Sequence, residues 1–150
     1  MKRCPKLFVI ILTVILLSQH VQAQTSTCDR IIGVWLSEDK DGKIEVFKSG
    51  NTYSGKLLWG KYVLDENGKP RRDVYNPDTA LRSQQLQGMI ILKGLVFKDG
   101  KWDEGTIYDP LSGKAYNVSV TLNGADLALR GYVGIPLFGK TTIWKRIEER

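Results

Sequence analysis

Ala115-Tyr116-Asn117-Val118-Ser119-Val120-Thr121-Leu122 alternates without a break, and Asn123-Gly124 follows it. Tyr116, Val118, Val120 and Leu122 fall on one face; Ala115, Asn117, Ser119 and Thr121 fall on the other. Period two is the signature of a strand buried on one side. Asn-Gly supplies the positive φ angles of a tight hairpin. Beyond it Leu127, Leu129 and Val133 resume the apolar face, with Arg130 and Tyr132 on the opposite one.

The same grammar runs outward in both directions. Asp41-Gly42, Asn67-Gly68, Asp99-Gly100 and Ser112-Gly113 repeat the turn signal, and Ser49-Gly50-Asn51 is a longer variant. Between them lie Gly33 to Leu36, Ile44 with Val46, Thr52 to Leu58, Leu86 to Leu92, Leu95 to Lys98, Trp102 to Tyr108 and Thr141 to Ile147. These runs are rich in β-branched and aromatic residues and predict roughly eight to ten strands. One segment interrupts the meander. Asn76 is placed to cap a short helix, with Pro77 at its first position and one or two turns over Thr79 to Gln85. The pattern predicts an all-β, single antiparallel barrel or sandwich; a barrel removes the exposed edges.

The N-terminus reads as an export signal. Lys2, Arg3 and Lys6 precede an apolar run from Leu7 to Leu17, and Val21-Gln22-Ala23 has the small-residue pattern of a cleavage site. The run is about half the roughly 20 residues that span a bilayer, so no membrane anchor is expected after cleavage. Residues 1–23 are therefore expected to be a signal peptide and 24–150 a single β domain, periplasmic or secreted.

Export changes the chemistry left behind. The formal charge falls from +6 to +3 with Lys2, Arg3 and Lys6, and the remaining basic residues are scattered, which argues against a nucleic-acid partner. Cys4 leaves, so Cys28 has no intrachain disulfide partner. His20, the one histidine, leaves too. Histidine-dependent nucleophilic catalysis and imidazole-bound zinc are excluded from the mature chain, and no cofactor or metal is expected.

Three motifs mimic chemistry. Gly134-Ile135-Pro136-Leu137-Phe138-Gly139-Lys140-Thr141 matches a phosphate-binding loop, but that loop needs a helix starting at the lysine, and Thr142-Ile143-Trp144 reads as strand. Asp39-Lys40-Asp41-Gly42 opens like a calcium loop, yet Gly50 stands where the bidentate glutamate belongs. Asp103 and Glu104, beside Trp102, resemble a carboxylate pair for glycoside hydrolysis, but neighbours on a strand point to opposite faces.

The order of the fragments resembles the domain-of-unknown-function 2147 family of exported bacterial proteins. The matching segments are Gly33-Val34-Trp35, Asp41-Gly42-Lys43-Ile44, Tyr53-Ser54-Gly55-Lys56, Asn76-Pro77-Asp78 with Leu81-Arg82, Gly105 to Pro110, Ser112 to Tyr116, Leu129 to Gly134, and Gly139-Lys140-Thr141 with Trp144. The resemblance implies a lipocalin-like barrel. It implies that Trp35 packs near the base beneath Arg146 or Lys145 from the last strand, which leaves the ligand mouth at the other end. It carries no established activity.

Trp35, Tyr53, Trp59, Trp102, Tyr108, Tyr116, Tyr132 and Trp144 are equally suited to filling a core or lining a cavity. The leading expectation is a non-enzymatic exported binding protein. Its barrel would hold a small apolar or amphipathic ligand, with Arg82, Tyr108, Tyr116, Arg130 and Tyr132 as candidate ligand-binding residues. The alternatives are a filled barrel that binds an envelope protein through Asp65 to Gln85, and a carboxylate-dependent glycan hydrolase.

Overall fold

The computed structural model describes residues 26–148. The expected signal peptide lies outside them. Eight antiparallel strands close into a barrel in next-neighbour order: β1 (Gly33–Ser37), β2 (Gly42–Ser49), β3 (Thr52–Gly60), β4 (Ile90–Lys98), β5 (Lys101–Asp109), β6 (Lys114–Asn123), β7 (Asp126–Tyr132) and β8 (Lys140–Ile147). β1 pairs with β8, Trp35 opposite Arg146, which shuts the ring.

β6 has the alternation its sequence predicts. Val118 and Val120 are fully buried, while Ala115 and Asn117 face outward. β7 continues it through Leu127 and Leu129, but ends at Tyr132. Val133, expected on the apolar face, has left the sheet and is exposed.

Two further readings change. Leu86 to Leu92 and Leu95 to Lys98 were expected as separate strands; a single β4 runs through both regions. Gly94, at φ +73°, puts an irregularity into it, so Leu92 and Leu95 are both buried despite being three residues apart. The expected short helix is a single 3-10 turn, Thr79–Leu81. Asp78, not Asn76, caps it, its carboxylate accepting from the Ala80 amide. The Asn76 side-chain oxygen instead accepts from the Asp78 amide in an Asx turn that precedes the Asp78 cap.

The barrel has two unlike ends. At the base, a 3-10 turn (Thr27–Ile31) lies across the opening. Trp35 Nε1 donates to the Ile31 carbonyl and Trp102 Nε1 to that of Cys28, each at 2.9 Å. Arg146 stacks on the Trp35 ring at 4.2 Å and donates to the Ile32 and Arg30 carbonyls. Arg146 thus fills the basic role that the resemblance left open; Lys145 faces outward to Asp126. Gly33, at φ +140°, is required here because a Cβ would run into the Arg146 guanidinium. Tyr53, also buried, donates to Asp29 Oδ1 at 2.7 Å. Above this layer Ile44, Val46, Leu95, Val118, Val120 and Leu127 fill the lower barrel.

At the other end the β3–β4 connection, residues 61–89, folds back over the rim. Isolated bridges Leu64–Pro70 and Arg72–Gln85 organise it. Its return zips onto β3 through Leu57 N to Met89 O and Gly88 N to Leu57 O. Val63 and Leu86 are the apolar residues it tucks inward.

Candidate functional site: a cavity at the open end

Interior glycines mark where the barrel stops being full. A Cβ on Gly55 would stand 3.0 Å from Leu92, and one on Gly105 would stand 2.7 Å from Leu95. Those glycines make room for leucines. Gly131 also faces inward, but the nearest atoms to its Cβ would be Ile107 and Tyr116 at 4.0 Å. No leucine fills that place, and the space beyond belongs to a cavity of about 490 Å³.

Leu57, Val63, Leu86, Ile91, Ile107 and Leu129 form most of its wall, with Trp144 closing one side. Tyr108 and Tyr116 line it, and Lys61, Lys140, Asp41 and Asp109 stand at its mouth. Thr142 also borders it and accepts from Trp144 Nε1 at 2.9 Å, which fixes the indole. A volume of this size lies within the range of small-molecule sites, which are mainly apolar with a few placed polar groups.

Of the five residues singled out from sequence, the fold brings Tyr108 and Tyr116 together on this wall. Tyr108 donates to Asp73 Oδ1 at 2.8 Å, and Asn76 Nδ2 donates to Asp73 Oδ2 at 2.6 Å. Burial first, and then the bond to this carboxylate, push the Tyr108 hydroxyl up to about 12. It therefore stays a neutral donor at ordinary pH. Asp73 is completely buried, and it ties the long connection to the barrel wall. Sequence reasoning passed over Asp73: an aspartate between Arg72 and Val74 in a turn-rich stretch carries no local sign of burial.

The other three lie elsewhere. Arg82 is exposed on the long connection and donates through Nε to the Asn76 carbonyl at 2.7 Å, bracing the corner. Arg130 and Tyr132 lie on the outward face of β7, because alternation assigns the inward positions to Leu129 and Gly131. Arg130 grips the β7–β8 connection: Nε donates to Pro136 O at 2.7 Å, Nη2 to Leu137 O at 3.1 Å, and Nη1 to Thr141 Oγ1 at 2.8 Å. Arg130 and Tyr132, expected among the ligand-binding residues, thus stand outside the cavity.

The three mimicking motifs resolve into structure. Pro136–Phe138 is a 3-10 turn leading into β8, so no helix N-terminus stands behind Lys140. Asp41 accepts from Ser37 Oγ at 2.6 Å in the β1–β2 turn. Asp103 and Glu104 occupy an irregularity between Trp102 and Gly105, where two residues of β5 intervene against one of β6. Both carboxylates therefore face away from the interior, contrary to the opposite faces a regular strand would give. Asp103 pairs with Lys101, and Glu104 is exposed at φ +64°.

A closed eight-stranded antiparallel barrel, plugged at one end by an N-terminal 3-10 turn, a tryptophan and an arginine, is a lipocalin-like architecture. A solved structure, protein HP1028 from Helicobacter pylori, described as belonging to the lipocalin family, has the same fold. The TM-score is 0.69 at 24% identity, over 79% of this chain and 83% of that one. No curated protein matches the chain. The chain belongs to the DUF2147 family, described as uncharacterized protein conserved in bacteria, whose sequence pattern it matches over residues 33–146.

Proposed function

We propose that this chain is an exported, non-enzymatic binding protein that holds one small apolar or amphipathic molecule in the cavity at the open end. The observation that carries the proposal is the contrast inside the barrel. Its lower half is packed, whereas the space beside Gly131 is an apolar cavity of about 490 Å³ that opens to solvent. Burying a ligand's apolar surface there gains about 25 cal/mol per Å² before the costs of association. An amphipathic ligand would keep its polar end near Lys61, Lys140 and the Tyr116 hydroxyl, with Tyr108 fixed as a wall by Asp73. The cavity favours this reading over a filled barrel that serves only as a platform for an envelope protein. Export is supported by the basic, apolar and small-residue sequence of residues 1–23.

Native mass spectrometry of the protein purified from its own host tests the proposal. The expected result is a bound small molecule that is lost when Gly131→Leu fills the cavity. A wild-type protein of unadorned mass that also takes up no apolar probe would overturn it.

A further inference from the structure

Beside the cavity mouth, the β7–β8 loop exposes apolar side chains that the barrel does not use. Val133 is 72% exposed, Ile135 53%, Leu137 74% and Phe138 79%. Residues 131–139 carry no charge. A cluster this dense on a small domain marks an interaction surface.

Two features indicate that the loop is held outward. Its 3-10 turn, Pro136–Phe138, has its Pro136 and Leu137 carbonyls bound by Arg130 from the outer face of β7. Gly139 lets the chain pass close to β7, since a Cβ there would stand 2.7 Å from the Gly131 carbonyl oxygen. The backbone is therefore anchored while Leu137 and Phe138 project into solvent, away from the cavity that would otherwise accept them.

The charges around the loop select its partner. Arg130 and Lys140 flank it, and Lys61 lies across the same mouth. Asp41 and Asp109, the carboxylates that line the cavity, are bonded into the protein's own turns: Asp41 accepts from Ser37, and Asp109 from the Leu111 amide and Ser112 Oγ. The acidic β1–β2 turn leaves the sheet where Glu38 N bonds to Ile143 O, three residues past Lys140 toward the base. That is about 10 Å along the strand. An uncharged apolar projection framed by cations suits the boundary of an anionic bilayer, where apolar side chains enter the acyl edge and lysines meet headgroups.

We propose that the β7–β8 loop docks reversibly on an anionic phospholipid surface, with the cavity mouth facing the bilayer. This docking requires no occupant in the cavity. Co-sedimentation of the protein, in the form its host produces, with phosphatidylglycerol vesicles and with phosphatidylcholine vesicles tests it. The expected result is binding to the anionic vesicles, weakened by salt, and reduced at least tenfold by Leu137→Asp combined with Phe138→Asp. Because both side chains are mostly exposed, the unfolding midpoint of this variant should match that of the parent. Equal recovery with and without anionic lipid would overturn the proposal, as would binding that survives the double substitution. So would a concentration-dependent dimer that the same substitutions abolish, since the loop would then be covered by a second copy. Uptake of an apolar probe in vesicle-free solution reads the cavity separately, so either proposal can fail without the other.

Discussion

At the base of the barrel, large apolar side chains meet one another; at the mouth, comparable side chains meet open space. Trp35 and Trp102 spend their ring nitrogens on main-chain carbonyls of the N-terminal turn, and Arg146 supplies two more such bonds. Every polar atom brought to the base this way has a partner, which lets a tryptophan be fully buried without loss. At the mouth, Trp144 spends its ring nitrogen on Thr142 and Tyr108 its hydroxyl on Asp73, and the space between them stays open. The difference teaches where stability and recognition are separated in this fold. Substitutions at the base should act on folding, and substitutions that fill the open space at the mouth should act on binding.

The largest effect is expected at the base. Trp35→Ala removes the ring that Arg146 covers and the bond to Ile31, and should cost about 3–5 kcal/mol in denaturant unfolding. A cost below about 1 kcal/mol would mean that the base is not the packed half of the molecule.

A smaller effect, of a different kind, is expected from Tyr108→Phe. The ring stays on the cavity wall, but buried Asp73 loses a donor, at a cost of about 1–3 kcal/mol. The loss should appear first as faster amide exchange in residues 61–89, because Asp73 ties that connection to the wall. Uniform loosening of the whole barrel would contradict the assignment of Asp73 to the strap.

The smallest effect is a response to acid at the base. Hydrogen bonds from Tyr53, then Ser26 and Lys48, hold the Asp29 carboxyl down at about 2. A carboxylate depressed in the folded state stabilises it above the ordinary carboxylate pKa and loses that contribution as pH falls toward the depressed value. Stability should therefore decline between about pH 4 and pH 2, and Asp29→Asn should flatten that decline. Asp29 is solvent-accessible, so the slope should be shallow and sensitive to salt.

Strand content was legible because it rests on local pattern. β6 and β7 carry their alternation in sequence, and Asn123-Gly124 announces their turn. The role of Trp35 came from resemblance rather than from pattern, and the contact with Arg146 required the closure of β1 against β8. Where reading failed, a long-range contact or a single backbone angle was responsible. Gly94 carries one strand through what the sequence divides into two, and the register shift on β5 sends Asp103 and Glu104 outward together.

The candidate site was half legible for the same reason. Tyr108 and Tyr116 could be assigned to strands and therefore to faces. The outward face of Arg130 follows from alternation, but its grip on Pro136 and Leu137 depends on how a glycine-bounded loop folds back. Asp73 depends on a 29-residue connection, residues 61–89, crossing the rim to meet β5, which no local signal encodes. The hollow itself reflects the inward position of Gly131 with nothing packed into it, a fact about its neighbours across the barrel.

The division between base and mouth is tested most directly by titrating a fluorescent apolar probe into the wild type and Gly131→Leu, with unfolding measured on both. Gly131 has no positive φ to preserve, and its inward direction is open. The account predicts saturable one-to-one uptake by the wild type, at least tenfold weaker uptake by the variant, and unfolding midpoints that agree closely. Equal uptake by both proteins, or loss of uptake only in step with loss of folding, would contradict it.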